Sequence, residues 1–172
     1  MAEPPSASDL DRIVAARHPD PHTVLGPHLG DGRIVIRVFR PDTSEPRLRL
    51  ASGDAIPMVR VHSGGLFEAV LEGLELGLPH GSSGAPDGPV GPTTEAALPP
   101  PASYRVETGE ASGTVEAAHD AYAFWPTVGE LDLHLAGEGR HFELYSRLGA
   151  RRIEHQAVAG VAFAVCAPSA RR

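Results

Sequence analysis

The stretch LDLHLAGEGRH, Leu131 to His141, brings Asp132, His134, Glu138 and His141 within eleven residues. Carboxylates and imidazoles this close are the groups that bind metals or exchange protons. Gly137 and Gly139 interrupt the helix that would have to present them, and no third ligand has the spacing of a zinc site. They read instead as caps on helix ends and hydrogen-bond partners across a connector, so no catalytic and no metal residue is assigned. His18, His22 and His28, around the turn HPDPH, have no carboxylate or cysteine at ligand spacing and read as turn or surface residues. Just upstream, AYAFWP holds the only tryptophan. Tyr122, Phe124 and Trp125 could belong to an active site, form a binding platform, or fill the junction between two modules. Their place between two patterned regions favours the junction.

The elements that must position these groups are bounded first by composition. The chain has 172 residues, enough for one domain or two small ones, and a net charge of −7. That charge argues against nucleic acid and against anionic membrane as partners. All 15 basic residues are arginine. Without lysine there is no Schiff base and no Walker-type phosphate loop. One cysteine, Cys166, cannot form an internal disulfide and fits a reducing compartment. No apolar run approaches the ~20 residues of a membrane span. A monomer in the cytoplasm, with no cofactor, is the expectation.

Residues 1–8 read as a disordered tail. SDLDRIVAARH then predicts a short helix with Ser8 as its cap and Leu10, Ile13, Val14 and Arg17 on one face. RIVIRVF alternates, with Ile34, Ile36 and Val38 inward and Arg33 and Arg37 on a solvated outer face. RLRL, MVRVH, LFEAVL and YRVE repeat that period. Short alternating strands between Pro, Gly and Asp turns predict a mainly β fold, an immunoglobulin-like antiparallel β-sandwich, over residues 9–117. Residues 78–102 carry seven prolines and four glycines and read as a disordered insert. A linker and helical connector is expected over 118–150, with Phe142, Tyr145 and Leu148 together on one helical face.

Two segments resemble each other. VLGPHLGDGRIVIRVFRPDT, from Val24, and RLGARRIEHQAVAGVAFAVCAPSA, from Arg147, each run Leu-Gly, polar turn, strand and proline corner. Ile36 matches Phe163, Val38 matches Val165 and Pro41 matches Pro168, the signature of two copies of one module. In the second copy only Val161–Val165 reads as a strand, so residues 151–172 are expected to be the unpaired start of a truncated second β-sandwich.

Five blocks in order, DRIVAARHPDPHTVLGPH, RVFRPD, GLFEAVL, YAFWPTVGELDLHLAGEGRHFELYSRLGA and GVAFAVCAPSARR, resemble the N-terminal region of bacterial 1,4-α-glucan (glycogen) branching enzymes of glycoside hydrolase family 13. The resemblance implies β-sandwiches of the carbohydrate-binding-module type ahead of an α-amylase-like barrel that transfers glucan chains into α-1,6 branches. Such a barrel takes ~250 residues, so the resemblance implies a non-catalytic N-terminal part here, and an inactive chain by itself. The implied partner is α-1,4-glucan or glycogen, with Tyr122, Phe124 and Trp125 as possible contacts. A stand-alone glucan-binding module, or a non-functional gene fragment, is the alternative. Ala121 stands where the family pattern has proline, Cys166 where it has tryptophan and Ser169 where it has asparagine. If buried, the lost tryptophan would cost about 3–5 kcal/mol.

Overall fold

The computed structural model describes residues 5–30, 33–72, 98–109 and 115–167. Most of the expected insert, and residues 1–4 of the expected tail, lie outside that range. The chain divides into two compact units, Met1–Ala123 and Phe124–Arg172.

The first unit opens with helix α1, Ala7–Val14. Its cap is Ser6, two residues ahead of the predicted Ser8. The Ser6 hydroxyl accepts the Asp9 N–H at 3.2 Å, and the Asp9 carboxylate reaches back to the Ser6 N–H at 3.2 Å. Two donors at the helix start are satisfied at once. Ala16, at φ 52°, ends the helix, so Arg17 falls beyond it. Ile13 is buried with Val24, Leu25 and Leu66, and Leu10 and Val14 pack at the margin.

Eight strands follow: β1 Gly26–Gly30, β2 Arg33–Phe39, β3 Arg47–Leu50, β4 Ala55–Pro57, β5 Val59–His62, β6 Leu66–Glu72, β7 Tyr104–Gly109 and β8 Val115–Ala118. They form two antiparallel sheets, β1-β2-β6-β5 and β4-β3-β7-β8. Strands thus enter the sheets two at a time. The predicted strand MVRVH appears as β5, Val59–His62, paired with β6; β4, Ala55–Pro57, pairs with β3 just ahead of it, and buried Met58 lies between.

The core follows the alternation read from the sequence. Ile34, Ile36 and Val38 of β2 and Phe67, Ala69 and Leu71 of β6 meet Leu48 and Leu50 of β3 and Tyr104 and Val106 of β7. Arg37 departs from the expectation of a solvated outer face. It is 9% exposed, sits opposite Glu68 on β6, and donates from Nε to that carboxylate at 2.7 Å. On the other sheet Arg49 of β3 grips Glu107 of β7 with both Nε and Nη2, at 2.8 and 3.0 Å.

The second unit holds helix α2, Glu130–Gly137, a 3₁₀ turn at Leu144–Ser146, and strands β9, Gly149–His155, and β10, Val158–Ala164. The expected lone strand is corrected: β10 pairs along its whole length with β9. The expected face of Phe142, Tyr145 and Leu148 does not form, because the segment makes a single 3₁₀ turn that leaves Phe142 and Tyr145 exposed. Cys166 is exposed, so the cost reckoned for a buried tryptophan site does not apply there.

The β9–β10 hairpin repeats the β1–β2 hairpin residue for residue at its base. A 3₁₀ turn precedes each, at Pro21–Thr23 and Leu144–Ser146. Gly26 and Gly149 then open the first strands at φ 86° and 85°. Gly26 faces Arg37 and Gly149 faces Ala164, which puts Ile36 level with Phe163, as the sequence match requires. The copies differ in cover. Ile36 and Val38 are sealed in a core, whereas Phe163 and Val165 are 75% and 82% exposed. No helix among the described residues is long and apolar enough to cross a membrane.

Candidate functional site

The predicted contact residues fall in different units: Tyr122 is in the first, Phe124 and Trp125 in the second. Tyr122 is half-buried against the Ile13–Val24–Leu25–Leu66 cluster. Its ring meets the His22 imidazole edge-on, centroids 5.1 Å apart. Its role in this unit is packing.

Phe124 stacks on His155, centroids 6.1 Å apart with 23° between planes. The backbone of Trp125 is fastened at both polar groups. Its N–H donates to Gln156 Oε1 at 2.8 Å, and its carbonyl accepts from His155 Nε2 at 2.9 Å. His155 and Gln156 sit at the β9–β10 turn, where Gln156 and Ala157 have φ 50° and 63°. A two-residue hairpin turn requires positive φ at both central positions, which Asn-Gly meets easily. Gln-Ala adopts it against a cost of roughly 1–3 kcal/mol per residue. The result is a tryptophan anchored through its backbone and open at its side, at 46% exposure. A flat, half-exposed indole can lie against the C–H face of a pyranose. His155 and Gln156 escaped sequence reasoning because nothing near Trp125 signals a partner thirty residues on.

The acid and histidine group of the second unit is joined by hydrogen bonds and ion pairs. Asp132, in the first turn of α2, accepts the Gly129 N–H at 3.2 Å and lies 2.7 Å from His141 Nε2 and 3.4 Å from Arg147 Nε. The His141 hydrogen bond first, then that of Gly129, holds the Asp132 carboxyl below the usual carboxylate range. His134 and Arg140 stand 3.5 and 3.6 Å from Glu138 on an exposed face. Among the described residues no three His, Cys, Asp or Glu side chains converge as a metal would need.

A second ordered cluster closes the first unit. Asp120 is 1% exposed and accepts the Tyr104 hydroxyl at 2.9 Å and the Tyr122 N–H at 3.1 Å. Burial pushes its carboxyl up, against the opposing pull of both hydrogen bonds. Burial likewise lowers His28 on β1, whose Nε2 lies 3.1 Å from the Leu25 carbonyl. Asp120 was not singled out in the sequence, since a lone acid before AYAF carries no chemical spacing.

Comparison with known proteins adds what geometry alone does not. The family described as "alpha-1,4-glucan branching enzyme GlgB, N-terminal domain" matches residues 6–79. The chain is 36% identical over 163 residues to the 1,4-alpha-glucan branching enzyme GlgB of Myxococcus xanthus, covering 95% of this chain and 19% of the relative. It is 40% identical to the enzyme of that name from Cupriavidus necator, with 95% and 19% covered. It is also 40% identical to 1,4-alpha-glucan branching enzyme GlgB 1 of Streptomyces coelicolor, with 97% and 18% covered. The chain therefore spans about a fifth of the length of these relatives. Residues 6–79 thus match the N-terminal domain of alpha-1,4-glucan branching enzymes, and the chain as a whole is similar to the N-terminal region of those enzymes.

Proposed function

We propose that this chain is the part of a glycogen branching enzyme that holds α-1,4-glucan, as a cytoplasmic monomer without cofactor, while the chemistry is done elsewhere. The likeness of almost the whole chain to one fifth of named branching enzymes carries this reading. Branching by a retaining mechanism needs two carboxylates on opposite sides of the scissile bond, and none of the chain's acids is assigned that role. Trp125 is the residue placed to touch glucan, with Phe124 supporting it through His155 and Tyr122 acting only as packing. A native gel cast with glycogen tests the reading. The 172-residue chain is expected to be retarded, and Trp125→Ala to weaken retardation roughly tenfold, the upper range for one aromatic contact. Equal mobility with and without glycogen rules out glucan binding. In a branching assay the chain is expected to yield no α-1,6 product, and measurable product would overturn the division of labour.

A further inference from the structure

The chain leaves the first unit through a short segment that no sheet pairing holds. Residues Ala121–Ala123 form one 3₁₀ turn, in which the Ala123 N–H bonds to the Asp120 carbonyl at 3.2 Å. On one side the segment is tied to the β3–β7 sheet. Asp120 takes the hydroxyl of Tyr104 on β7, and His119 Nδ1 lies 3.1 Å from the Pro101 carbonyl. On the other side it presses on β1 of the opposite sheet. A Cβ on Gly26 would lie 2.3 Å from the Tyr122 carbonyl oxygen, so only glycine allows that approach. Ala123 enters the main core and Tyr122 the smaller cluster. Five residues thus span both sheets, and Asp120 anchors them through a buried carboxyl.

We propose that residues 119–123 are a strap latched by Asp120, and that the latch tightens when Asp120 takes up a proton. The partners of this carboxyl are a hydroxyl and an amide, not a cation, and burying a carboxylate on neutral partners is costly. Adding a proton keeps both bonds. One oxygen still accepts the Tyr122 N–H, and the new O–H can donate to the Tyr104 oxygen. Burial raises both acids, Asp120 above its ordinary value and Tyr104 beyond the range of a free phenol. The charges that face Asp120 and favour its ionised form are Arg40, after β2, and His22, in the turn before β1; His28 on β1 also feels it. A carboxyl raised on folding contributes stability that is complete below its unfolded pKa and lost as pH rises through the folded one. The strap should therefore open more readily at neutral than at acid pH.

Amide hydrogen exchange in the 172-residue chain tests this, with Tyr122 and Ala123 as reporters, β2 and β6 as internal reference, and rates corrected for intrinsic pH dependence. From about pH 7 to about pH 4, which crosses the ordinary carboxylate range, reporter protection is expected to rise in the natural chain. Asp120→Asn, neutral and of the same shape, is expected to be as protected as the acid form at every pH. Asp120→Ala is expected to lose roughly tenfold or more while the reference strands hold. Protection that falls or stays level on acidification, an Asn variant as open as the Ala variant, or an Ala variant that loses nothing would overturn the proposal. Should Asp120→Ala expose β2 and β6 as well, Tyr104→Phe removes only the donor hydroxyl. Loss of reporter protection at neutral pH is then expected, and its absence overturns the latch.

Discussion

Gly65→Ala is expected to remove a large part of the first unit's stability. Gly65 turns the chain from β5 into β6 at φ 96°, a conformation that side chains other than hydrogen rarely adopt. Its carbonyl accepts the Arg40 N–H at 2.8 Å. A Cβ there would lie 2.4 Å from Pro41 Cα, 2.8 Å from Pro41 N and 2.9 Å from the Arg40 oxygen. These are backbone atoms at the point where the chain passes from one sheet to the other, and no rotamer change relieves them. Backbone strain of about 1–3 kcal/mol and overpacking of about 1–3 kcal/mol compete with a total stability of roughly 5–15 kcal/mol. Gly53→Ala supplies the control: φ is 98° there too, but nothing lies within 4 Å of the new Cβ. Urea unfolding of both variants separates the two costs. A Gly65→Ala midpoint no lower than that of Gly53→Ala would show that the approach of Pro41 constrains nothing.

Phe67→Ala is expected to be nearly as damaging, through a cavity in place of a clash. Phe67, the second residue of β6, is 1% exposed, sits directly opposite Val38, and belongs to the core shared by both sheets. The Arg60 guanidinium lies over its ring, 4.4 Å from the centroid. Truncating a buried phenylalanine costs about 3–5 kcal/mol, and the lost cation–π contact adds roughly 0.5–1 kcal/mol. Val70, on the same strand but 48% exposed, is the comparison. Val70→Ala should move the urea midpoint little. Equal shifts from the two substitutions would mean that the alternation along β6 does not divide core from solvent.

How much of this could be read beforehand depends on how local the cause is. The faces of β2 and β6 were legible because a half-buried strand prints its burial on every second residue. The burial of Arg37 was not, because its carboxylate partner arrives 31 residues later on another strand. β9 was missed for a related reason. GARRIEH has one large apolar residue, Ile153, and its partly covered face is completed by Arg151 and His155, so the alternation in burial is not one of apolar with polar residues. MVRVH was legible as a strand, but β4 just ahead of it was not, since passage between sheets needs only one buried pivot, Met58. Of the site residues, the aromatic triplet was visible by type, but its division between units was not. The fixing of Trp125 depends on His155 and Gln156, and the closure of the first unit on the Asp120–Tyr104 pair, both long-range contacts.

Strands joining the sheets two at a time set a timetable for synthesis. β1, β2, β5 and β6 make up one whole sheet, available once Glu72 has left the ribosome. The opposite sheet has no β7 until Tyr104 emerges, after the 31 intervening residues 73 to 103. At ordinary elongation rates that is about 2–6 s. For that interval Ile36, Phe67 and Leu71 form the face of a sheet covered only by the short β3–β4 pair and Met58. The nascent polypeptide is then at its stickiest, and a holdase or trigger-type chaperone would find its substrate there.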